Sequence, residues 1–294
     1  MNKIRRNKKA MLFFALPGLL LYTVFVVFPL IPEMLISFQK HNGIASSGFV
    51  GWKNYIDVLT MPRFWTANKN VLILLLITLF IGLPISFILA VIMDFQKGIF
   101  KKIFKTVCFI PAVLSVTIIS QLWIAIYNPQ WGLLNKCLEL LHISHQMRAW
   151  LADEKTAIFC IAVVFTWQYI GFNMILFYAG LKAIPKTYFE AALIDGAGYV
   201  KSTIKVTLPL MQDIMKYVLT ISLLGCIGMY LHVQMLTNGG PGDASMTTVF
   251  LMYNTAFDSG DFGHGCAIAI LYILECILVS VVLNKAVARE KIEF

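Results

Sequence analysis

The segment AIPKTYFEAALIDGAGYVKSTIKVTLPLM, residues 183–211, is too polar to cross a bilayer, yet it joins two long apolar runs, about 156–181 and about 214–236. Pro185 suits a helix start, and Thr187 with Glu190 three residues on has the spacing of a capping box. Phe189, Ala192 and Leu193 then fall on one helical face. Gly196 and Gly198 stop the helix, since glycine accepts the left-handed conformation that ends many helices. A second short helix follows and ends before Pro209. The spacing therefore predicts a helix–turn–helix lying along a membrane surface. Its small residues Ala191, Ala192 and Ala197, with the two glycines, let another surface approach closely.

Outward from this loop the chain repeats one pattern. A spanning helix needs roughly 20 apolar residues. Six segments qualify: about 11–37, 71–93, 104–127, 156–181, 214–236 and 262–284. Of the 294 residues 59% are hydrophobic and 13% charged, against about 25% charged in soluble domains. The fold class that follows is an all-α integral membrane protein, with a basic N-terminus at 1–10 and a single transmembrane domain over 11–294. The first run is about twice the length of a signal-peptide core and continues through Pro29 and Pro32, so it reads as a retained helix.

Basic residues fix a direction. Connections on the N-terminal side of the membrane hold 17 Lys and Arg, and those on the other side hold 7. Positive charge favours the cytoplasmic face, which places both termini and the 183–211 segment inside. The net charge of +9 is spread around apolar runs without interleaved aromatics, which argues for topology and against nucleic acid. Five of the six cysteines lie in apolar runs and read as packing residues. The histidines show no metal-ligand spacing. On the outer side, residues 49–59 read as an amphipathic interfacial element, Trp131 and Trp150 suit the headgroup level, and Gly239-Gly240-Pro241-Gly242 must form tight turns.

The loop also resembles a known signature. Glu190-Ala191-Ala192, Gly196, Val206 and Leu208-Pro209 are similar to the EAA loop of bacterial ABC importer permeases, EAA-x3-G-x9-I-x-LP, with Val206 in the isoleucine position. Further pieces resemble the carbohydrate-uptake subfamily: Phe49-Val50-Gly51 with Asn54-Tyr55, Asn128-Pro129 with Gly132 to Asn135, Gly171 to Met174, the 239–242 cluster, and Asp261-Phe262-Gly263. The resemblance covers nearly the whole chain. It implies a type I ABC importer permease fold in a bacterial cytoplasmic membrane. Glu190, Ala191, Ala192, Asp195, Gly196, Leu208 and Pro209 would form the coupling contact with a cytoplasmic ATPase dimer. It also implies a second permease, in the carbohydrate group usually a different chain, and an external solute-binding protein that faces Gly239 to Gly242.

No phosphate-binding GxxxxGK[ST] loop and no hydrolase or protease motif occurs, so no catalytic residue, metal or cofactor is assigned to this chain. ATP and magnesium would belong to the partner ATPase. Polar side chains at membrane depth face a cavity or another helix. Gln121, Trp167, Tyr169, Asn173, Tyr230 and Gln234 are candidates for a solute path, offering amides, a hydroxyl-bearing ring and apolar planes to a sugar. Bonding between helices is the alternative for each of them. Glu275 is the one carboxylate well inside a span; it is expected to pair across helices or to lie near the inner leaflet on a helix that ends in basic residues, with a proton-site role in transport as the alternative. An ion-coupled secondary transporter and a non-transporting membrane scaffold are the alternative functions.

Overall fold

The computed structural model describes residues 8–286. Most of the basic N-terminal stretch, and Arg289 and Lys291 at the other end, lie outside that range. The described chain is mostly helical, with one short β-ribbon and several turn-rich connections, and its contacts sort it into two compact units.

The first unit takes Met1–Met61 and Leu251–Leu271. Its long helix α1 (Phe13–Ser37) is apolar and exposed along nearly its whole length, as suits lipid contact. A two-stranded antiparallel ribbon follows, β1 (Gln39–His41) with β2 (Ser46–Phe49), then the amphipathic helix α2 (Lys53–Thr60). The last carbonyls of a helix lack intrahelical donors. Asn54 supplies one, donating Nδ2 to Ser37 O at 2.8 Å and to Gln39 O at 2.9 Å. The Tyr55 and Ser37 hydroxyls lie 2.7 Å apart. Gly263 meets the same turn, and a Cβ there would collide with the Gln39 carbonyl. The Asn54-Tyr55 and Asp261-Phe262-Gly263 elements of the sequence are thus two sides of one structural joint. His264 sits beside it, with Nδ1 2.8 Å from Asp261 Oδ2 and Nε2 3.4 Å from Asp57 Oδ2.

The second unit takes Pro62–Phe250 and Tyr272–Phe294. It holds α3 (Pro62–Phe95), α4 (Gly98–Val113) and α5 (Val116–Ile126), the short helix α6 (Leu133–Leu140), the central α7 (Ala157–Ala183), and the surface helix α8 (Lys186–Ile194). Then come α9 (Thr203–Leu210), α10 (Gln212–Ile227) and α11 (Leu231–Leu236). A short helix α12 (Thr248–Tyr253) and the final α13 (Phe262–Lys285) each contribute to both units. α7 is the most buried span. Gly171 lets it cross α4 so closely that a Cβ would collide with the Cys108 carbonyl, and Gly180 meets Met211 and Ile214. Small residues at crossings are how helices pack where lipid removes the hydrophobic drive. Met93, Met174, Phe177, Met211 and Val218 fill the core between α3, α7 and α10. On α6, Asn135 turns inward, donating to Pro129 O and Arg148 O and accepting from Trp150 Nε1 at 2.7 Å. Leu133, Leu140 and Leu141 point out.

Among the described residues four helices are long and apolar enough to cross a membrane, and two bent pairs supply two more. The expected third span is in fact broken: α4 and α5 meet at 99°. Leu114 and Ser115 are extended there, and the Ser115 hydroxyl caps α5 by accepting from Ile118 N at 3.3 Å. The expected fifth span is shifted. It bends by 69° between Leu210 and Gln212 and ends at Ile227. Gly228 closes α10, and residues 231–236 form a separate helix. The second span starts at Pro62, because polar opening turns with Arg63, Asn68 and Asn70 extend the apolar helix at its N-terminal end.

Gly171→Val should prevent stable assembly, because the obstacle is backbone. Gly225→Ala, where the nearest atom is a Phe165 ring carbon at 3.6 Å, should be tolerated. Yield of monodisperse protein in detergent distinguishes the two.

Candidate functional site

The 183–211 loop is built around α8. Pro185 is its N-cap, and no side chain caps the end. The capping-box expectation therefore fails: Thr187 lies inside the helix, one residue beyond Lys186, where its hydroxyl is past the cap position. The C-terminus is a complete Schellman motif. Gly196 has φ of 70°, its N–H donates to Leu193 O at 3.0 Å, and Ala197 N–H donates to Ala192 O at 2.9 Å. Gly196 alone provides the left-handed residue, and Gly198 does not. The second helical stretch does not stop before Pro209. It runs from Tyr199 through a π turn (Thr203–Thr207) to Leu210, with Pro209 in its last turn, directly after the π turn.

α8 has two faces. Ala192 is buried, and Phe189 packs on the core formed by Met174, Phe177, Met211 and Val218. Glu190, Ala191, Asp195 and Gly196 are exposed, and Leu208 and Pro209 are half-buried. Leu193 was expected beside Phe189. It points the other way, 70% exposed, and Ile194 beside it is 86% exposed, since Leu193 and Ile194 follow Ala192 by 100° and 200° around the helix. The tip of the loop thus offers two large apolar side chains flanked by two carboxylates.

A cavity of about 720 Å³ opens among α3, α4, α7 and α10. Its wall is mainly apolar and aromatic, with Thr78, Ser86, Thr166, Tyr169, Asn173, Ser222, Tyr230 and His232 as its polar groups. No carboxylate, lysine or arginine lines it. The Ser222 hydroxyl donates to Asn173 Oδ1 at 3.2 Å. Thr166 Oγ1 is buried with no protein partner among the described residues. Phe165 packs on Tyr169 and on His232, with ring centres 4.8 and 5.5 Å apart.

Of the six path candidates, Tyr169, Asn173 and Tyr230 line this cavity and the others do not. Gln121 is exposed on α5. Trp167 packs edge-on against Trp123. Gln234 lies on α11, with Tyr230 in the break before it, so the two do not share a continuous helix. Thr166 and Ser222 were missed. Thr166, Tyr169 and Asn173 are i, i+3 and i+7 on α7, so helical phase alone could have added Thr166. Ser222 carries no such signal, because only the packing of α10 brings it to Asn173. Glu275 accepts from the Asn68 side chain across helices, as expected of a carboxylate in a span.

The Gly239–Gly242 turn is pinned from three directions. Arg63 grips Asp243 with two bonds of 2.9 and 3.1 Å, Asn70 donates to Met246 O at 2.9 Å, and Ser245 Oγ donates to Gly240 O at 2.6 Å. Gly239 and Gly242 have φ of 81° and 57°, conformations that favour glycine.

Comparison with known proteins agrees with this architecture. Residues 10–292 match the family described as binding-protein-dependent transport system inner membrane component. The arabinooligosaccharides transport system permease protein AraP of Bacillus subtilis is 33% identical over 95% of this chain and 88% of its own. The trehalose/maltose transport system permease protein MalF of Thermococcus litoralis is 30% identical over 87% and 86%. Among solved structures, a bacterial ABC transporter that imports the acidic polysaccharide alginate superposes with a TM-score of 0.82 at 19% identity, over 99% of this chain and 98% of that one. At that identity the likeness speaks for the fold, which is that of an importer permease. The ion-coupled transporter and scaffold readings fall away. With the family model spanning almost the whole chain, this protein is a multi-pass inner membrane component of a binding-protein-dependent transport system, the permease subunit of an ABC importer.

Proposed function

We propose that the chain moves a neutral sugar or short oligosaccharide into the cytoplasm by alternating access, driven by a separate ATPase that grips α8. The observation that carries the coupling role is the exposed Leu193–Ile194 tip beside Glu190 and Asp195, on a helix whose other face is keyed into the transmembrane core. Large apolar groups on a polar loop mark a docking surface. Pushed or pulled by the ATPase dimer, α8 would transmit motion through Phe189 and Ala192 to α7 and α10. Glu190, Ala191, Asp195 and Gly196 would lie at the contact, and Leu208 and Pro209 would brace it from behind. ATP and magnesium stay on the ATPase. Both termini are cytoplasmic on the distribution of basic residues.

The solute reading rests on the cavity. Hydroxyls, amides and aromatic faces without a net charge match a polyhydroxylated neutral ligand. Relatives are named for arabinooligosaccharides and for trehalose or maltose, which are neutral. Tyr169, Asn173 and Tyr230, with Thr166 and Ser222, would contact the solute. A second permease, of the same or a different chain, completes the path. The solute-binding protein docks outside, against the pinned Gly239–Gly242 turn.

Glu190→Lys reverses the charge at the contact. Gly196→Asp puts a charged side chain into the left-handed position that closes the helix, adds a carboxylate at the contact and loosens the Schellman end. Each should lower uptake at least tenfold, about 1.4 kcal/mol in effective barrier, while the protein still inserts and the ATPase still hydrolyses ATP. Uptake at the wild-type rate with normal expression would sink the coupling role. Asn173→Leu should raise the half-saturating concentration of a transported neutral disaccharide roughly tenfold, the value of one lost hydrogen bond. An unchanged saturation curve would remove Asn173 from the path.

A further inference from the structure

Two edges of the cavity are helix breaks, and one buried side chain touches both. α4 gives way to α5 through extended Leu114 and Ser115, which leaves the Leu114 carbonyl outside the helical ladder. α10 ends at Ile227, and α11 starts at Leu231 with His232 in its first turn. Gln168, near the middle of α7 and 2% exposed, donates Nε2 to Leu114 O at 3.4 Å. Its Oε1 lies 2.7 Å from His232 Nε2. An amide oxygen only accepts, so the imidazole Nε2 carries the hydrogen and donates. The two contacts use opposite ends of one planar amide, so each fixes the orientation required by the other. A side chain of the same length without these groups would leave a buried carbonyl and a largely buried imidazole N–H without their protein partner.

We propose that Gln168 is a positioning residue of the transport cycle, a clamp that ties both helix breaks to α7 and so sets the separation of the cavity walls. Any motion that parts the two breaks must release one of its bonds. The clamp therefore biases the importer toward the state in which both are made. Its relevance to the solute rests on reading the cavity as the path, whereas the clamp itself does not.

The test is hydrogen exchange of the assembled importer in lipid nanodiscs, followed by mass spectrometry, with ATP hydrolysis measured on the same samples without solute. Gln168→Met should speed amide exchange in both the 115–119 and the 229–234 peptides, leaving the α8 peptides unchanged. His232→Leu should do the same. His232→Gln, which keeps a donor for the Gln168 oxygen, should restore slow exchange. Basal hydrolysis should change about threefold in kcat with KM for ATP unchanged, since the bias toward the state in which both bonds are made is lost. Unchanged exchange at either break in Gln168→Met would overturn the clamp. Should that variant fail to assemble, the contrast between His232→Leu and His232→Gln decides in the same way. Faster exchange with unaltered hydrolysis would overturn the role in the cycle. The solute path would then still stand or fall on the uptake of the Asn173 variant.

Discussion

A bilayer supplies no hydrogen bonds, so every backbone group at membrane depth must be satisfied by the protein. Unbroken helices do this without help. This chain departs from unbroken helices at a few places, and there the structure places its polar side chains. The Leu114 carbonyl receives Gln168, the start of α5 receives the Ser115 hydroxyl, and the stretch after Gly228 brings His232 to the same Gln168. Irregular backbone is tolerated where it lines a cavity, and in transporters broken helices border the binding site. The cavity here is bordered by both breaks. The polar residues of its wall thus differ in what they do: some close the backbone ladder, and Thr166 keeps a buried hydroxyl that no described protein group satisfies.

A second constraint concerns how force could reach that wall. α8 is short, and isolated helices of that length are unstable in water. Its order comes from both ends and one face. Gly196 closes the C-terminus, Phe189 and Ala192 anchor the inner face, and Met211, at the bend between α9 and α10, belongs to the same core. A displacement of α8 therefore acts on the group of side chains that holds α7 against α10. The same α7 carries Gln168 and Asn173 higher up. Mechanical continuity from loop to cavity runs along one rigid helix.

Much of this was legible in the sequence, and what was not has physical causes. Spans show as apolar length, because lipid imposes a simple test on composition. Gly196 and the EAA spacing were readable because a left-handed helix end demands glycine. Breaks inside apolar runs were not readable. Leu114 and Ser115, or Gly228 to Tyr230, differ little in composition from the helices around them, and only tertiary partners make the break affordable. The capping box failed for a similar reason: Pro185 started the helix two residues before the residue with the right side chain. Tyr169 and Asn173 shared a helical face and indeed reach the cavity, while Tyr230 and Gln234 were separated by a break that periodicity does not see. Asn54, Asn135 and Gly263 stood out as motif residues, and the structure explains them as joints between chain segments.

The claim that α8 receives the work of an ATPase can be examined at its tip. A photo-reactive side chain placed at position 194, outside the buried face, would be irradiated in the assembled importer in membranes. A cross-link to the ATPase chain is expected, with a yield that changes between nucleotide-free and ATP-bound states, and none from a control position such as Leu140. Cross-links from position 194 only to lipid or to the permease itself, in every nucleotide state, would contradict it.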